Sequence, residues 1–290
     1  MCSILKYKNV VGRNFDYEIS YQEEARVVER DEFNNKYKVV GMCTGLVQDY
    51  PLLYDGINEK GLVCGALAFT GNAVYNNKKE GMINIPSYDF VFRILSNFRT
   101  VDEVKNELDK INISNEQYSK EFPNSDLHWF ISDREKSIII EQTEEGLDVY
   151  DGDVMTNNPP YYLQKNNCAS ENFTIGYNAP TWLPECFNSR GNSTFGLKGD
   201  YTSMGRFQRL TYLKNNLEKE DKDFDAETQA FHLLSSVEQI YGNTPVYEKD
   251  SQDVKYEYTI YSVVYDMNKF SMHLRKYNTT HVYAIGVYGS

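Results

Sequence analysis

At 290 residues, 41% hydrophobic and 25% charged, the chain is long enough to bury a sizeable core and too apolar for disorder. A net charge of −12 without a Lys/Arg cluster repels phosphate backbones, so nucleic acid is not an expected partner. The sequence has no apolar run near the roughly 18 residues that span a bilayer and no charged-then-apolar leader, so a cytoplasmic protein without a membrane partner is expected.

The predicted elements are strands at both ends with helices grouped between them. Residues 3–7 and 10–15 form the first pair around Lys8-Asn9; strands follow at 38–44 and in LLYDGINEKGLVCGALAF, residues 52–69. PSYDFVFRILSNF reads as a helix, and Thr100 with Glu103 is a capping-box signature for VDEVKNELDKI. SIIIEQ and LDVYDGDVM are a further strand pair, while 165–200 has no clear period and reads as a long irregular excursion, a form usual for functional or interface loops. SMGRFQRLTYLKNNLEKE starts at a Ser203 N-cap, DAETQAFHLLSSVEQIYG ends on Gly242, and YEYTIYSVVYDM, FSMHLRKY and HVYAIGVY are the last strands. With no repeat or linker this is one domain, 1–290, of α+β class with antiparallel sheets covered by helices.

The five cysteines (Cys2, Cys43, Cys64, Cys168, Cys186) are odd in number and scattered, with no CxxC and no zinc-type spacing. Neither a disulfide framework nor a metal or cofactor site is expected; Cys43 and Cys64 read as buried small hydrophobes.

Cys2 is different. A two-residue loop at Lys8-Asn9 pairs residues whose numbers sum to 17, setting Cys2 opposite Phe15 and Ile4 opposite Arg13. Cys2 and Arg13 then share a face at a diagonal separation of roughly 7–8 Å. Asp16 follows Phe15, beside the α-amine that removal of Met1 would free. An α-amine with a pKa of about 7.7–8.0 can take a thiol proton at neutral pH, and a neighbouring guanidinium favours the thiolate. A one-residue slip would exchange the facing groups, and a frayed terminus with an incidental cysteine fits the same stretch.

Longer stretches add to this. GRNFD after an N-terminal Cys, LHWFISDREKSIIIEQTEEGLDVYDGDVMTNNP, GDYTSMGRFQR and AFHLLSSVEQIYG occur in one order and spacing. On these the chain resembles the choloylglycine hydrolase family (bile salt hydrolases and penicillin V acylases) of N-terminal nucleophile cysteine hydrolases, over essentially its whole length. The resemblance implies a four-layer αββα sandwich and a homotetramer built partly through 165–200. It implies Cys2 as nucleophile once Met1 is lost, its free amine as base, and Arg13 and Asp16 as the thiol-orienting and amine-holding pair. It further implies Asn157 as side-chain oxyanion donor, Arg206 as the second active-site arginine, and the Ala68 backbone N–H as second oxyanion donor. Ala68 stands where the bile salt hydrolases carry Asn and the penicillin V acylases Tyr, so the side chain that separates the branches is missing.

The implied substrate is a small N-acyl amide, first a glycine- or taurine-conjugated bile salt, with penicillin V, acyl-homoserine lactones and N-acyl amino acids as alternatives. Two other classes stay open. One is a non-catalytic protein holding an apolar carboxylate between Arg13 and Arg206. The other is a Cys–His peptidase using His128, His232, His273 or His281, three of which fall in helix or strand patterns that suit a structural histidine.

Overall fold

The computed structural model describes residues 1–170, 194, 196–220, 223–247 and 253–286. It opens with the expected hairpin: β1 (Cys2–Tyr7) and β2 (Val10–Tyr17) pair antiparallel with Cys2 opposite Phe15 and Ile4 opposite Arg13. Lys8, at φ 50°, supplies the left-handed residue that a two-residue loop demands.

The chain continues through β3 (Glu24–Val28), β4 (Val39–Cys43), β5 (Leu53–Asn58), β6 (Val63–Ala68) and β7 (Ile83–Pro86). Two short helices, α1 (Phe90–Asn97) and α2 (Val101–Glu107), precede β8 (Ile111–Ser114), β9 (Leu127–Ser132), β10 (Ser137–Thr143), β11 (Gly146–Asp151) and β12 (Val154–Met155). Then come α3 (Tyr161–Ser170), α4 (Ser203–Glu220), α5 (Ala226–Ser235), β13 (Thr244–Tyr247), β14 (Val254–Asp266), β15 (Ser271–Lys276) and β16 (Tyr283–Gly286).

One antiparallel sheet runs β12-β1-β2-β14-β15-β16, with β13 also on β14; a second runs β11-β10-β9-β6-β5-β4-β3. α4 lies on β1 and β12, α5 on β2 and β14, and α1 on β5 and β6, so the two sheets face each other between helical layers. This is the expected αββα sandwich. It explains the unbroken apolar runs: in β10, Ile139 packs between the sheets while Ile138 and Ile140 pack toward α1 and α2. Among the described residues no helix is long and apolar enough to cross a membrane.

Several boundaries differ from expectation. LDVYDGDVM divides into β11 and β12, which belong to different sheets. The helix expected from Pro86 starts at Phe90, because Ile83–Pro86 pairs in parallel with β8. The α4 cap is Thr202, whose hydroxyl accepts the Gly205 N–H at 3.0 Å; Ser203 faces Thr156 instead. α5 stops at Ser235, since the chain must turn to lay β13 on β14, and Gly242 (φ 94°) serves that turn rather than a helix end. Of the irregular 165–200, residues 165–170 are helical in α3, whose weakly periodic sequence hid it, and 171–193 and 195 lie outside the described residues.

In β4 and β5, Gly41 faces Gly56, and a Cβ on Gly41 would strike the Asp55 carbonyl. Gly41→Ala is therefore expected to cost about 1–3 kcal/mol in a reversible thermal melt, whereas Gly199→Ala, with open space around it, should stay within about 0.5 kcal/mol.

Candidate active site

Cys2 begins β1, and its Sγ lies 3.7 Å from Arg13 Nη2, realising the diagonal contact across the hairpin. Arg13 points out of the first sheet into the second. Its Nη1 donates to Tyr54 O at 2.7 Å and pairs with the Asp55 carboxylate; Nη2 donates to Ala66 O at 2.7 Å. Asp55 also accepts the Tyr261 hydroxyl at 2.6 Å and the Tyr265 hydroxyl. The guanidinium lies 5.1 Å from the Phe15 ring centroid, and Phe15 stacks on Tyr261. Burial opposes the Arg13 charge, yet Tyr261, Asp55 and Cys2 hold its pKa above the ordinary value. Burial, with Asp55 next to them, pushes both phenols up, so they stay protonated donors.

Asp16, adjacent to Phe15, is fully buried. Its carboxylate accepts Thr259 Oγ1 at 2.6 Å and Gln239 Nε2 at 3.0 Å, with Arg206 Nη1 at 3.9 Å. Its contact with the chain terminus runs through its carbonyl, which accepts the Met1 ammonium at 2.8 Å. That ammonium also meets the Glu257 carboxylate, and burial lowers its pKa.

Asn157 follows β12 and reaches across to Cys2. Its Oδ1 accepts the Cys2 N–H at 2.6 Å and Arg206 Nη2 at 3.0 Å, which fixes the amide so that Nδ2 donates to Ala68 O at 2.8 Å. Arg206, in the first turn of α4, is wholly buried behind Cys2: Nη1 donates to Cys2 O at 2.5 Å and Ser3 Oγ at 2.6 Å, and Nε to Tyr201 O at 3.1 Å. Desolvation lowers its pKa against the pull of Asp16 and Cys2.

Cys2, Arg13, Asp16, Ala66 and Ala68 line one cavity of about 610 Å³, walled by Phe15, Tyr17, Tyr21, Tyr54, Tyr88, Tyr118 and Phe122. The five side chains named from sequence, and Ala68, thus meet around Cys2. Neither Asn157 nor Arg206 is among the residues that line the cavity, so the two arginines leave no cleft for a carboxylate between them. No histidine lines it either: His128 is buried, 3.0 Å from Glu141 and stacked on Phe69, His273 meets Ser271, and His281 is exposed. A Cys–His dyad has no geometry here. Sequence reasoning missed Asp55, Tyr261 and Tyr265. The one available signal was an acid in the middle of the apolar LLYDGI run. Among the described residues no group of three or more His, Cys, Asp or Glu side chains is placed to hold a metal ion.

A cysteine at the head of a buried strand, backed by two arginines on an αββα sandwich, defines a hydrolase of N-terminal nucleophile type. Residues 2–288 match the family of linear amide C–N hydrolases, choloylglycine hydrolase family, and the chain belongs to that family. It is 36% identical to a bile salt hydrolase/transferase of Lactiplantibacillus plantarum, over 99% of this chain and 92% of that protein. It is 35% identical to one of Clostridium perfringens, over 86% and 80%. The crystal structure of the mutant C2A conjugated bile acid hydrolase from Clostridium perfringens superposes with a TM-score of 0.87 at 32% identity, covering 99% of this chain and 92% of that one. Penicillin V acylase from Agrobacterium tumefaciens shares the fold, with a TM-score of 0.71 at 20% identity over 99% and 86%. The protein is a hydrolase of small linear amides.

Asp55→Asn weakens a fully buried ion pair and should cost about 3–5 kcal/mol by chemical denaturation; Tyr265→Phe, which removes one hydrogen bond, should cost about 1–3 kcal/mol. Burial, with Glu24 beside it, pushes the Cys43 thiol up to about 11, and burial pushes the Cys64 thiol up as well. At pH 8 the Cys43 thiolate is then on the order of 10⁻³ of the total, so iodoacetamide should leave Cys43 and Cys64 unmodified in the native protein, read by peptide mass.

Proposed function

We propose that the protein hydrolyses glycine- and taurine-conjugated bile salts with Cys2 as N-terminal nucleophile after loss of Met1. One observation carries the reading: Cys2 lines the cavity, with its Sγ beside Arg13 at 3.7 Å and its nitrogen beside Asn157 Oδ1 at 2.6 Å. With Met1 attached that nitrogen is an amide without basicity. Once freed it is an amine that takes the thiol proton.

Sγ then attacks the amide carbon, and the developing oxyanion accepts from Asn157 Nδ2, whose second hydrogen is left after the bond to Ala68 O, and from the Ala68 N–H. The Cys2 ammonium returns its proton to the leaving nitrogen as the C–N bond breaks, leaving a thioester. Water, deprotonated by the same amine, attacks the thioester carbon and releases the acid and the thiol. Arg13, held by Asp55, favours thiolate; Asp16 and Arg206 hold the strand end that carries Cys2 in place.

The bile salt assignment rests on the named relatives and on an aromatic cavity within the roughly 300–1,000 Å³ of small-molecule pockets. Ala68, which lacks the discriminating side chain, keeps penicillin V and other N-acyl amides as the second reading. Residues 1–290 are read as one domain because β14, near the chain end, lies between β2 and β15. A homotetramer completes the reading on family grounds, with most of the segment 165–200 expected to build it outside the described residues.

Intact mass should show the chain without Met1, and amine release from glyco- and tauro-conjugated bile salts should exceed that from penicillin V and N-acyl-homoserine lactones. Cys2→Ala should lose at least about 10³-fold in kcat. Full turnover by Cys2→Ala would overturn the mechanism, and a preference for another amide would overturn the substrate.

A further inference from the structure

We propose that Gln164 is a positioning residue for the reaction, holding the Asn157 amide on target through the main chain of the 156–160 turn. The inference rests on the reading of Asn157 as oxyanion donor.

Gln164 is wholly buried in the first turn of α3, outside the cavity lining. Its Nε2 donates to the carbonyl of Asn157 and to Pro159 O at 2.7 Å. Its Oε1 accepts the Thr156 hydroxyl at 2.7 Å, which in turn lies 2.9 Å from Ser203 Oγ. One side chain therefore binds Thr156 just before Asn157, Pro159 two residues after it, and Asn157 itself. Ser203 opens the helix that carries Arg206, which grips the Asn157 Oδ1, so side chain and backbone of Asn157 are clamped from two helix starts.

The α3 end of this clamp is itself anchored. Both Glu141 oxygens accept the Tyr161 N–H, at 3.0 and 3.1 Å, and Glu141 lies 3.0 Å from His128 Nδ1. This gives the buried His128–Glu141 pair, idle in the chemistry, a mechanical role.

The chemistry of the position calls for an amide. Two donors and one acceptor are needed at a single side-chain end, which only Gln supplies at this reach. Glu would set an anion against two carbonyls, and Leu would leave those carbonyls buried without donors. A misplacement of about 1 Å at a reacting group can cost on the order of 10²-fold in rate. Sequence alone hides this: a Gln at the start of a weakly periodic helix looks like surface.

The test is a double-mutant cycle measured on a glycine-conjugated bile salt, or on whichever amide of the panel is turned over. Asn157→Ala should lower kcat roughly 10²–10³-fold. Gln164→Leu should lower kcat roughly 10–100-fold with KM unchanged within about 3-fold, yet change kcat less than about 3-fold in the Asn157→Ala background. Thr156→Val, a milder lesion of the same clamp, should follow the same pattern at roughly 3–10-fold and serves if Gln164→Leu does not fold. Wild-type kcat in the folded Gln164→Leu protein, or losses that add in the double mutant, would overturn the proposal. Wild-type kcat in Asn157→Ala would instead overturn the oxyanion reading on which it rests.

Discussion

The Arg13–Asp55 pair is the constraint on which the rest of the site depends. Arg13 belongs to β2 in one sheet and Asp55 to β5 in the other, and both are buried between them. Two charges removed from water cost several kcal/mol each, and their attraction offsets this only when every remaining lone pair and hydrogen is used. Tyr261, Tyr265, Tyr54 O and Ala66 O supply most of those partners. What the pair contributes is placement more than net stability. Any sliding of one sheet over the other would strand a charge, so the sheets have one register, and the second Nη2 hydrogen of the guanidinium is directed to Cys2 Sγ.

The same logic organises the other half of the site. Asp16 and Arg206 approach each other behind Cys2, and Asn157 joins Arg206 to the Cys2 nitrogen. Cys2 is thereby held by a charge-assisted hydrogen bond on its carbonyl and a neutral one on its nitrogen, leaving its thiol toward the cavity. A reactive residue at a chain terminus would ordinarily fray. Here Cys2 opens a strand paired with β2 along its whole length and with β12 at Ile4 and Leu5, which holds it in place.

Much of this is legible in the sequence, and for definite reasons. The hairpin register follows from one loop length, so Cys2, Arg13 and Asp16 group together from local pairing alone. Asn157 and Arg206 lie 155 and 204 residues from Cys2 and are legible only by resemblance; local physics would leave them as a turn residue and a solvated helix residue. Asp55, Gln164 and Glu141 escape sequence reasoning because their partners are far away along the chain, and a buried polar residue looks exposed until its partners are known. α3 escapes it because its burial is set by helix ends and cap contacts, not by an apolar stripe.

By itself, then, the sequence determined the first hairpin and its grouping of Cys2, Arg13 and Asp16, the α+β class, and the family. Each of these depends on short-range periodicity or on ordered motifs, which the chain carries in one dimension. The tertiary structure alone decided what holds those groups. It placed Asp55 under Arg13, turned Arg206 away from the cavity and behind Cys2, and brought the starts of α3 and α4 to either side of Asn157. Those outcomes depend on the stacking of two sheets, where the free energy of a buried polar group is set by neighbours that the sequence order does not reveal.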